Sequence, residues 1–262
     1  MTIRRGRRVA DVLAASTRYL RDQDVPDARA DAEILLAHVL RAPLLEVLAR
    51  SNEELSPAHI RSFNRAIARR GAREPVAYIT AVKEFYGLKL KVTPSVLIPR
   101  PETEILVERA IALKPKRVLD LGTGSGAIAA ALAAALPDAE ITATDVSASA
   151  IGIARQNLPP RVVLKKGPDF EPVKGERFDL VVSNPPYIPS GEIDGLQAEV
   201  RKEPRVALDG GPDGLDVVRR ILRGSRKALV EIGAGQAAVL RKEFPGVRFH
   251  KDLAGIDRIV EQ

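Results

Sequence analysis

Residues Val118-Leu-Asp-Leu-Gly-Thr-Gly-Ser-Gly-Ala127 have the pattern of a buried strand that turns through three glycines directly into a helix. Gly122, Gly124 and Gly126 allow a tight turn and a close approach of the backbone to a ligand. The first turn of the following helix presents unpaired N–H groups, which suit the polar groups of a nucleotide-like ligand. The stretch therefore predicts a ligand-binding loop at the carboxyl end of a strand.

Strands and helices alternate along the rest of the chain. Predicted strands cover Arg117–Leu121, Glu140–Thr144, Val162–Lys165, Phe178–Ser183, Ala228–Ile232, Val247–His250 and Asp257–Val260, and predicted helices cover Ala127–Leu136, Ala148–Asn157, Leu215–Ser225 and Gln236–Glu243. Repeated β-α-β units favour a mostly parallel sheet with helices on both faces. We therefore expect an α/β fold with a doubly wound, Rossmann-like, mostly parallel sheet of seven strands, and a ligand site at the carboxyl ends of its strands.

The residues before the loop have different patterns. Over Val9–Arg70 apolar residues recur at helical spacing, and one helix is expected to begin at Pro57 with Ser56 as its N-cap. Over Gly71–Thr93 aromatic and apolar residues around Gly87 predict a β-hairpin. The expected domains are a small N-terminal helical bundle over 1–75, a β-hairpin connector over 76–100 and the α/β domain over 101–262.

One face of the helix that begins at Pro57 is basic. Arg61, Arg65 and Arg69 are spaced four residues apart and therefore lie on the same side of that helix. A solvated helix face is the simpler interpretation and the one we favour. The alternative is a docking surface for an anionic partner.

The composition excludes several kinds of site. The 262 residues include no Cys, so disulfides, thiolate metal sites and Cys nucleophiles are excluded. His38, His59 and His250 show no ligand spacing, so we expect no metal site. The apolar run Ala127–Leu136 is far shorter than the roughly 20 residues of a membrane span. The basic stretch Met1–Arg8 precedes a charged helix, so no export signal is evident. We therefore expect a cytoplasmic protein with no membrane partner.

The net charge of +7 permits two interpretations. Clustered Lys and Arg side chains could neutralise the phosphates of a nucleic acid. A basic solvated surface has the same net charge, and net charge carries no information about the fold. We favour the second interpretation, so nucleic acid is not the expected substrate.

Two kinds of cofactor fit the glycine loop. Gly122–Ala127 matches the dinucleotide fingerprint, and Asp145, 19 residues after Gly126, can accept hydrogen bonds from ribose hydroxyls. Asp120 lies two residues before the first glycine, where its carboxylate would repel a pyrophosphate but could bind the ammonium of an amino-acid tail. The pattern therefore favours S-adenosyl-L-methionine over a dinucleotide.

The fourth predicted strand of the sheet runs into Asn184-Pro-Pro-Tyr187. Two consecutive prolines cannot continue the ladder and fix a stiff turn where the cofactor is expected. The Asn184 side-chain oxygen and the Pro185 carbonyl could each accept one N–H of a planar amide or amine, which would aim its lone pair at a methyl group. Tyr187 could pack its ring over the substrate or near a sulfonium. Such positioning lowers the barrier to methyl transfer without a general base.

These motifs together resemble the bacterial protein-(glutamine-N5) methyltransferases that modify peptide-chain release factors. The resemblance covers nearly the whole chain, through Glu74–Ile79, Glu84–Gly87, Val96–Glu104, Val118–Gly126, Ser183–Ile188, Ala207–Leu215 and Glu231–Gly233. It implies an S-adenosyl-L-methionine-dependent methyltransferase sheet and a substrate glutamine in a Gly-Gly-Gln motif, methylated on its side-chain nitrogen. It also implies that Pro99–Glu104 lines the cofactor entrance and that the helical domain recognises the release factor.

The resemblance assigns roles to individual residues. The cofactor would contact Gly122, Thr123, Gly124, Ser125, Gly126, Asp145, Asp169, Phe170 and Asn184, and the substrate glutamine would contact Asn184, Pro185, Pro186 and Tyr187. The catalytic residues would be Asn184, Pro185 and Tyr187.

The chain departs from the family pattern at two places. It has Thr80-Ala81 in the segment where relatives usually have Gly, and Gly167-Pro-Asp-Phe170 where relatives have Gly-Asp before two large apolar residues. Asp169 and Phe170 are the expected contacts of the adenine, and either could be shifted by one position.

Two rival substrates stay open. One is a glutamine of a ribosomal protein, and the other is the adenine N6 or guanine N2 of a nucleic acid, since such enzymes use a similar Pro-Pro-aromatic turn. A base in a duplex must be flipped out and stacked, which calls for a recognition domain rich in aromatic and basic groups. The N-terminal region has few aromatic residues. We therefore expect a release factor as protein partner and a monomeric enzyme.

Overall fold

The computed structural model describes residues 7–262. Met1–Gly6, which include Arg4 and Arg5 of the basic N-terminal stretch, lie outside the described residues. The chain divides into two compact units: the first contains the residues up to Ala81 together with Ala198–Lys202, and the second contains Val82–Gln197 and Glu203–Gln262. In the described part of the chain, no helix is both long and apolar enough to cross a membrane.

The first unit is helical. Its described helices are α1 (Val9–Arg21), α2 (Ala28–Leu40), α3 (Leu44–Ala49), α4 (Pro57–Gly71) and α5 (Val76–Thr80). Their apolar faces meet in a core that includes the fully buried Leu20, Leu36 and Phe63. The N-cap prediction is confirmed, because the Ser56 hydroxyl accepts a hydrogen bond from the His59 N–H at 3.1 Å. The predicted helical bundle is therefore present in the first unit.

A partly buried ion cluster fixes the short segment Ala198–Lys202 within the first unit. Arg70 on α4 donates from Nε to Asp31 Oδ2 at 2.6 Å and from Nη1 to Glu199 Oε1 at 2.8 Å. Arg73 donates to the same Glu199 oxygen at 2.7 Å. Burial alone raises the pKa of Glu199, but the hydrogen bonds from Arg73 and Arg70 outweigh burial and lower that pKa to about 2. Glu199 is therefore ionised at neutral pH and keeps its arginine partners.

The predicted β-hairpin begins later than the sequence pattern indicates. Strands β1 (Val82–Phe85) and β2 (Leu88–Lys91) pair antiparallel around Tyr86-Gly87. Val76–Thr80, which was expected to belong to the hairpin region, is the helix α5 instead. The reason lies at Pro75, whose fixed φ suits a helix start and whose carbonyl accepts from the Tyr78 N–H at 3.0 Å.

The second unit continues with alternating helices and strands. The elements are α6 (Thr103–Ala112), β3 (Arg117–Leu121), α7 (Ala127–Ala135), β4 (Glu140–Asp145), α8 (Ala148–Asn157), β5 (Val163–Lys166), β6 (Leu180–Ser183), α9 (Asp216–Gly224), β7 (Ala228–Glu231), α10 (Ala237–Glu243), β8 (Arg248–Lys251) and β9 (Asp257–Glu261). Among residues 7–262 the strands β3–β9 form one sheet of seven, in the order β5-β4-β3-β6-β7-β9-β8. β9 runs antiparallel to β7 and β8, and the other pairs are parallel. The predicted mostly parallel, doubly wound sheet is confirmed.

Helices cover both faces of this sheet. One apolar core includes residues of α6 and α7, such as Leu106 and Leu132, and the other includes residues of α9 and α10, such as Ile221 and Leu240. The strand order reverses at β3, which has β4 on one side and β6 on the other. A ligand site is expected beyond the carboxyl ends of these three strands, where the connections separate to opposite faces.

Candidate functional site

A cavity of about 340 Å³ lies in the second unit at the carboxyl ends of the strands. Its lining includes Asp145, the last residue of β4, and residues that follow β3, β4, β5 and β6: Gly122, Thr123, Gly124, Ser125, Val146, Ser147, Gly167, Pro168, Asp169, Asn184 and Pro186. The segment before α6 contributes Ser95, Val96, Leu97, Pro99 and Thr103. The cavity is therefore located where the strand order predicts a ligand.

The glycine loop is held against β4 and leaves open space beside its glycines. The N–H groups of Gly122 and Thr123 both donate to the Thr144 carbonyl, at 2.9 and 2.8 Å. Gly122 and Gly124 have φ of +74° and +57°, and a Cβ built on either would meet nothing within 4 Å. Gly126 differs, because its Cβ would lie 3.1 Å from Leu158 Cγ, so this glycine serves packing and lies outside the cavity lining.

Asp145 lies at the end of β4 and lines the cavity. Its Oδ2 accepts from the Gly124 N–H at 2.9 Å, and its Oδ1 accepts from the Ser147 N–H at 2.8 Å. Burial raises the pKa of Asp145, and these two N–H groups act in the opposite direction. Each carboxylate oxygen has a further lone pair, so Asp145 can anchor the loop and still accept from ligand hydroxyls.

Asp120 lies beneath the loop instead of in the cavity wall. Its Oδ2 accepts from the Thr123 hydroxyl at 2.6 Å and from the Ala129 N–H at 3.2 Å, and the residue is fully buried. Its Oδ1 has no hydrogen-bond partner among the described residues. Burial raises the pKa of Asp120 to about 7 against the lowering by Thr123 and Ala129. The structure therefore gives Asp120 the role of holding the loop, and does not bring it to a ligand ammonium as the sequence suggested.

Asn184 follows β6 directly and begins a chain of polar contacts. Its Nδ2 donates to Thr103 Oγ1 at 2.9 Å, and the Thr103 hydroxyl donates to Glu231 Oε2 at 2.6 Å. The Tyr187 hydroxyl donates to the other Glu231 oxygen at 3.3 Å. The Asn184 Oδ1 is buried and has no hydrogen-bond partner within residues 7–262. Because buried acceptors are normally paired, this oxygen is available to a donor of a ligand.

The two titratable groups among these contacts, Glu231 and Tyr187, have displaced pKa values. Burial raises the pKa of Glu231 to about 7, although the hydrogen bonds from Thr103 and Tyr187 lower it. Glu102 raises this pKa further and Arg258 lowers it. Burial, and then the charge of Glu231, raise the pKa of Tyr187 above its ordinary value. Tyr187 is therefore a neutral hydrogen-bond donor at physiological pH.

The Pro-Pro-Tyr turn is fixed from several sides. Gln236 donates from Nε2 to the Tyr187 carbonyl at 2.8 Å and accepts from the Gly233 N–H at 2.7 Å. Gly210 is needed for close approach, because a Cβ there would lie 2.7 Å from the Pro186 carbonyl oxygen. Pro185 is buried, and both Pro185 and Tyr187 lie outside the cavity lining. Of the predicted substrate contacts, the structure therefore brings Asn184 and Pro186 to the cavity.

The two predicted adenine contacts separate in the structure. Asp169 lines the cavity at φ +44° and accepts from Arg220 Nε at 2.7 Å. Phe170 lies against α9, where its ring occupies the space that a Cβ on Gly224 would need. Phe170 also packs on the core of that sheet face. The geometry therefore supports Asp169 as a cavity residue and gives Phe170 a packing role.

The resemblance implied that Pro99–Glu104 lines the cofactor entrance, and Pro99 and Thr103 do line the cavity. Sequence reasoning missed several other residues around the cavity: Ser147, Pro204, Val206, Ala207, Asp209, Val217, Arg220 and Glu231. Ser147 could have been found, because a Ser two residues after Asp145 is a natural N-cap for α8, and it caps by accepting from the Ala150 N–H. Thr103 and Glu231 belong to stretches that were recognised only by resemblance. Their partnership joins residues 128 positions apart and has no local pattern.

Comparison with known proteins gives matches over nearly the whole chain. Residues 11–80 match the family model described as "PrmC N-terminal domain", and residues 101–211 match "Methyltransferase small domain". The release factor glutamine methyltransferase of Geobacter sulfurreducens is 42% identical and covers 96% of this chain and 95% of the relative. That of Moorella thermoacetica is also 42% identical, over 94% and 95%.

A solved structure shares the fold at low identity. The hMettl16 catalytic domain in complex with the MAT2A 3′UTR hairpin 6 is 20% identical, covers 73% of this chain and 80% of that chain, and gives a TM-score of 0.54. At this identity the likeness concerns the fold alone.

Proposed function

Because the chain belongs to the family of release factor glutamine methyltransferases, we propose that it methylates the side-chain amide N5 of the glutamine in the Gly-Gly-Gln motif of peptide-chain release factors, with S-adenosyl-L-methionine as methyl donor. Membership of the family makes the chain a methyltransferase. The observation that carries the proposal is the Asn184 Oδ1, a buried acceptor without a partner in the described chain, beside a glycine loop with open space. A primary amide supplies the N–H that this oxygen needs.

Residues at the carboxyl ends of β3 and β4 fit the donor. The loop Gly122–Gly126 would hold its amino-acid part, Asp145 would accept from its ribose hydroxyls, and Asp169 would lie near its adenine. Asn184 would lie between the two ligands, within reach of both. When bound, S-adenosyl-L-methionine supplies an electrophilic methyl group on a sulfonium.

The residues that follow β6 would hold the substrate glutamine. An amide nitrogen is a poor nucleophile because its lone pair is delocalised into the carbonyl. Asn184 Oδ1, at the cavity, would accept one N–H of that nitrogen, and the carbonyl of Pro185, a residue outside the cavity lining, would accept the other. Both contacts would keep the lone pair directed at the methyl group. Pro186 would bound the glutamine side chain, and Tyr187 would support the turn. The proton leaves after methyl transfer, so the chain needs no general base and works by positioning.

The rest of the molecule completes the proposal. We assign substrate recognition to the helical domain over 1–75 and methyl transfer to the domain over 101–262. The segment over 76–100, which contains the β-hairpin, connects them. The enzyme would act as a monomer in the cytoplasm, where release factors are found. These assignments make a purified release factor the appropriate substrate for a test.

The proposal is tested by methyl transfer from labelled S-adenosyl-L-methionine to purified release factor, ribosomal protein and RNA in parallel, with the product mapped by mass spectrometry. Label on the Gly-Gly-Gln glutamine is expected, and none on a release factor whose glutamine is replaced. Preferential labelling of the ribosomal protein or of RNA would overturn the assignment of the substrate.

The same assay tests Asn184. We expect Asn184→Ala to reduce the transfer rate by about 100-fold or more while the cofactor still binds, because the amide is no longer positioned. Asn64→Ala is the matched control, since Asn64 Oδ1 is also buried and unpartnered among the described residues but lies in the first unit. A near wild-type rate for Asn184→Ala would exclude the bidentate amide model.

A further inference from the structure

Asn184 can help a substrate amide only if its own side-chain amide has the correct direction. The oxygen and the nitrogen of an asparagine side chain have nearly the same shape, and rotation by half a turn exchanges an acceptor for two donors. A donor at this position would face the N–H groups of the substrate and repel them. Some neighbouring group must therefore select one direction.

The contacts of Thr103 supply this selection. Thr103 is buried at the first residue of α6, with Asn184 Nδ2 at 2.9 Å and Glu231 Oε2 at 2.6 Å. Above about pH 7, where Glu231 is ionised, its carboxylate only accepts hydrogen bonds, so the single hydroxyl proton of Thr103 goes to Glu231. The Thr103 oxygen then has only lone pairs for Asn184, and only the nitrogen of Asn184 can bind there.

The position of Glu231 in the sheet allows it to fix the direction of these hydrogen bonds. It ends β7, which pairs parallel with β6 through Ser183 and Val230, so Glu231 and Asn184 emerge at the same edge of the sheet. The Tyr187 hydroxyl donates to its second oxygen and so fixes the carboxylate from the other side. The whole chain of contacts then runs in one direction, from donor to acceptor, and ends at Glu231.

We propose that Thr103 and Glu231 are positioning residues that orient the Asn184 side chain, so that its oxygen and not its nitrogen receives the substrate amide. This inference rests on the proposed function, because it gives a reason why Asn184 presents an acceptor. Glu231 lies outside the cavity lining and Thr103 contributes to it; the role we assign to both is exerted through Asn184.

The test compares Thr103→Val, Thr103→Ser and Glu231→Gln in the full-length enzyme with release factor as substrate. Val has the shape of Thr without the hydroxyl, and Gln can offer either a donor or an acceptor to Thr103. Both changes remove the fixed direction, so we expect kcat to fall by about 10- to 100-fold. Thr103→Ser keeps the hydroxyl and should recover most of this loss.

Two further measurements distinguish a lost orientation of the Asn184 side chain from a general distortion of the binding site. The KM for release factor and the Kd for S-adenosyl-L-methionine should stay within about threefold of wild type, because only the direction of one amide changes. The kcat of the double variant T103V/E231Q should be no lower than that of the less active single variant, because both changes act on the same series of hydrogen bonds. Thr142→Val, a change at another buried threonine of the same sheet, is the matched control.

A kcat within twofold of wild type for Thr103→Val or Glu231→Gln would overturn the inference. A rise in the KM for release factor and in the Kd for S-adenosyl-L-methionine as large as the fall in kcat would also overturn it. If either variant fails to fold, the other still decides, because each removes the same fixed direction. The wild-type enzyme separates the two proposals. If wild type labels the Gly-Gly-Gln glutamine and Thr103→Val is equally active, only the orientation by Thr103 is refuted, whereas a wild-type enzyme that leaves the release factor unlabelled refutes the proposed function. An active Asn184→Ala excludes the bidentate amide model and with it the orientation by Thr103.

Discussion

Asp145 combines two kinds of contact at one carboxylate. It accepts from the N–H groups of Gly124 and Ser147, and we assign it the ribose hydroxyls of the donor. Asp145→Ala should weaken S-adenosyl-L-methionine binding by about 1–3 kcal/mol, because charge-assisted hydrogen bonds are lost and the loop loses an anchor. Titration calorimetry measures the change. Asp138→Ala is the control, since Asp138 is exposed before β4; unchanged binding in Asp145→Ala would remove this residue from the site.

Single residues show what a sequence can and cannot predict about this site. Asp145 and Asn184 were predictable because each ends or follows a strand whose carboxyl end must lie at the ligand edge. Asp120 has the same kind of position, yet its side chain turns beneath the loop to Thr123 and Ala129. The direction of a side chain at a strand end depends on tertiary contacts, which a local pattern does not contain.

Among the elements, the alternating strands and helices were predicted well and the short helices were not. The inner strands β3, β6 and β7 have consecutive buried residues that are mostly apolar, whereas α3 and α5 have six and five residues and too few turns to show a period. α6 has a helical pattern, with Leu106, Val107 and Ala110 buried, but follows a segment that was interpreted only as a motif. The omission matters, because α6 begins at Thr103 and so supplies the partner of Asn184.

The basic face of α4 permits two interpretations, a solvated surface or a docking surface for an anionic partner. Arg61, Arg65 and Arg69 are all exposed, and Arg69 donates to Glu74 from Nε at 2.8 Å. A docking surface would therefore depend on Arg61 and Arg65. Reversing the charge of these two residues leaves the Arg69–Glu74 ion pair intact. If this face docks an anionic partner, R61E/R65E should raise the KM for release factor by about 3- to 10-fold with little change in kcat.

The control for this experiment is R18E/R21E on α1, which makes the same change in net charge. Steady-state kinetics at two salt concentrations measures both variants, since screening by salt weakens contacts between exposed charges. Equal KM values for R61E/R65E and wild type would favour the solvated helix face.

At the scale of the whole molecule, the sheet carries two buried carboxylates at the edge where ligands are expected. Asp120 is the fourth of the five residues of β3, and Glu231 is the last residue of β7. Burial raises the pKa of each to about 7. A carboxylate that must ionise in a buried place destabilises the folded state. The arrangement is understandable if loop and turn geometry matter more to this enzyme than maximal stability.

This cost makes a prediction about the pH dependence of stability. The Asp120 pKa rises from 3.8 to about 7 on folding, so the folded state binds more protons than the unfolded state between these values. Its contribution to stability is therefore present below about pH 4 and is lost as the pH rises to about 7. Asp120→Asn keeps an acceptor for Thr123 and Ala129 but never ionises, so it should raise the unfolding free energy at pH 8 by roughly 1–3 kcal/mol and change it little at pH 4. Denaturant unfolding at both pH values measures this difference, with the exposed Asp138→Asn as control. An equal effect of Asp120→Asn at the two pH values would show that ionisation of this buried group does not limit the stability of the fold.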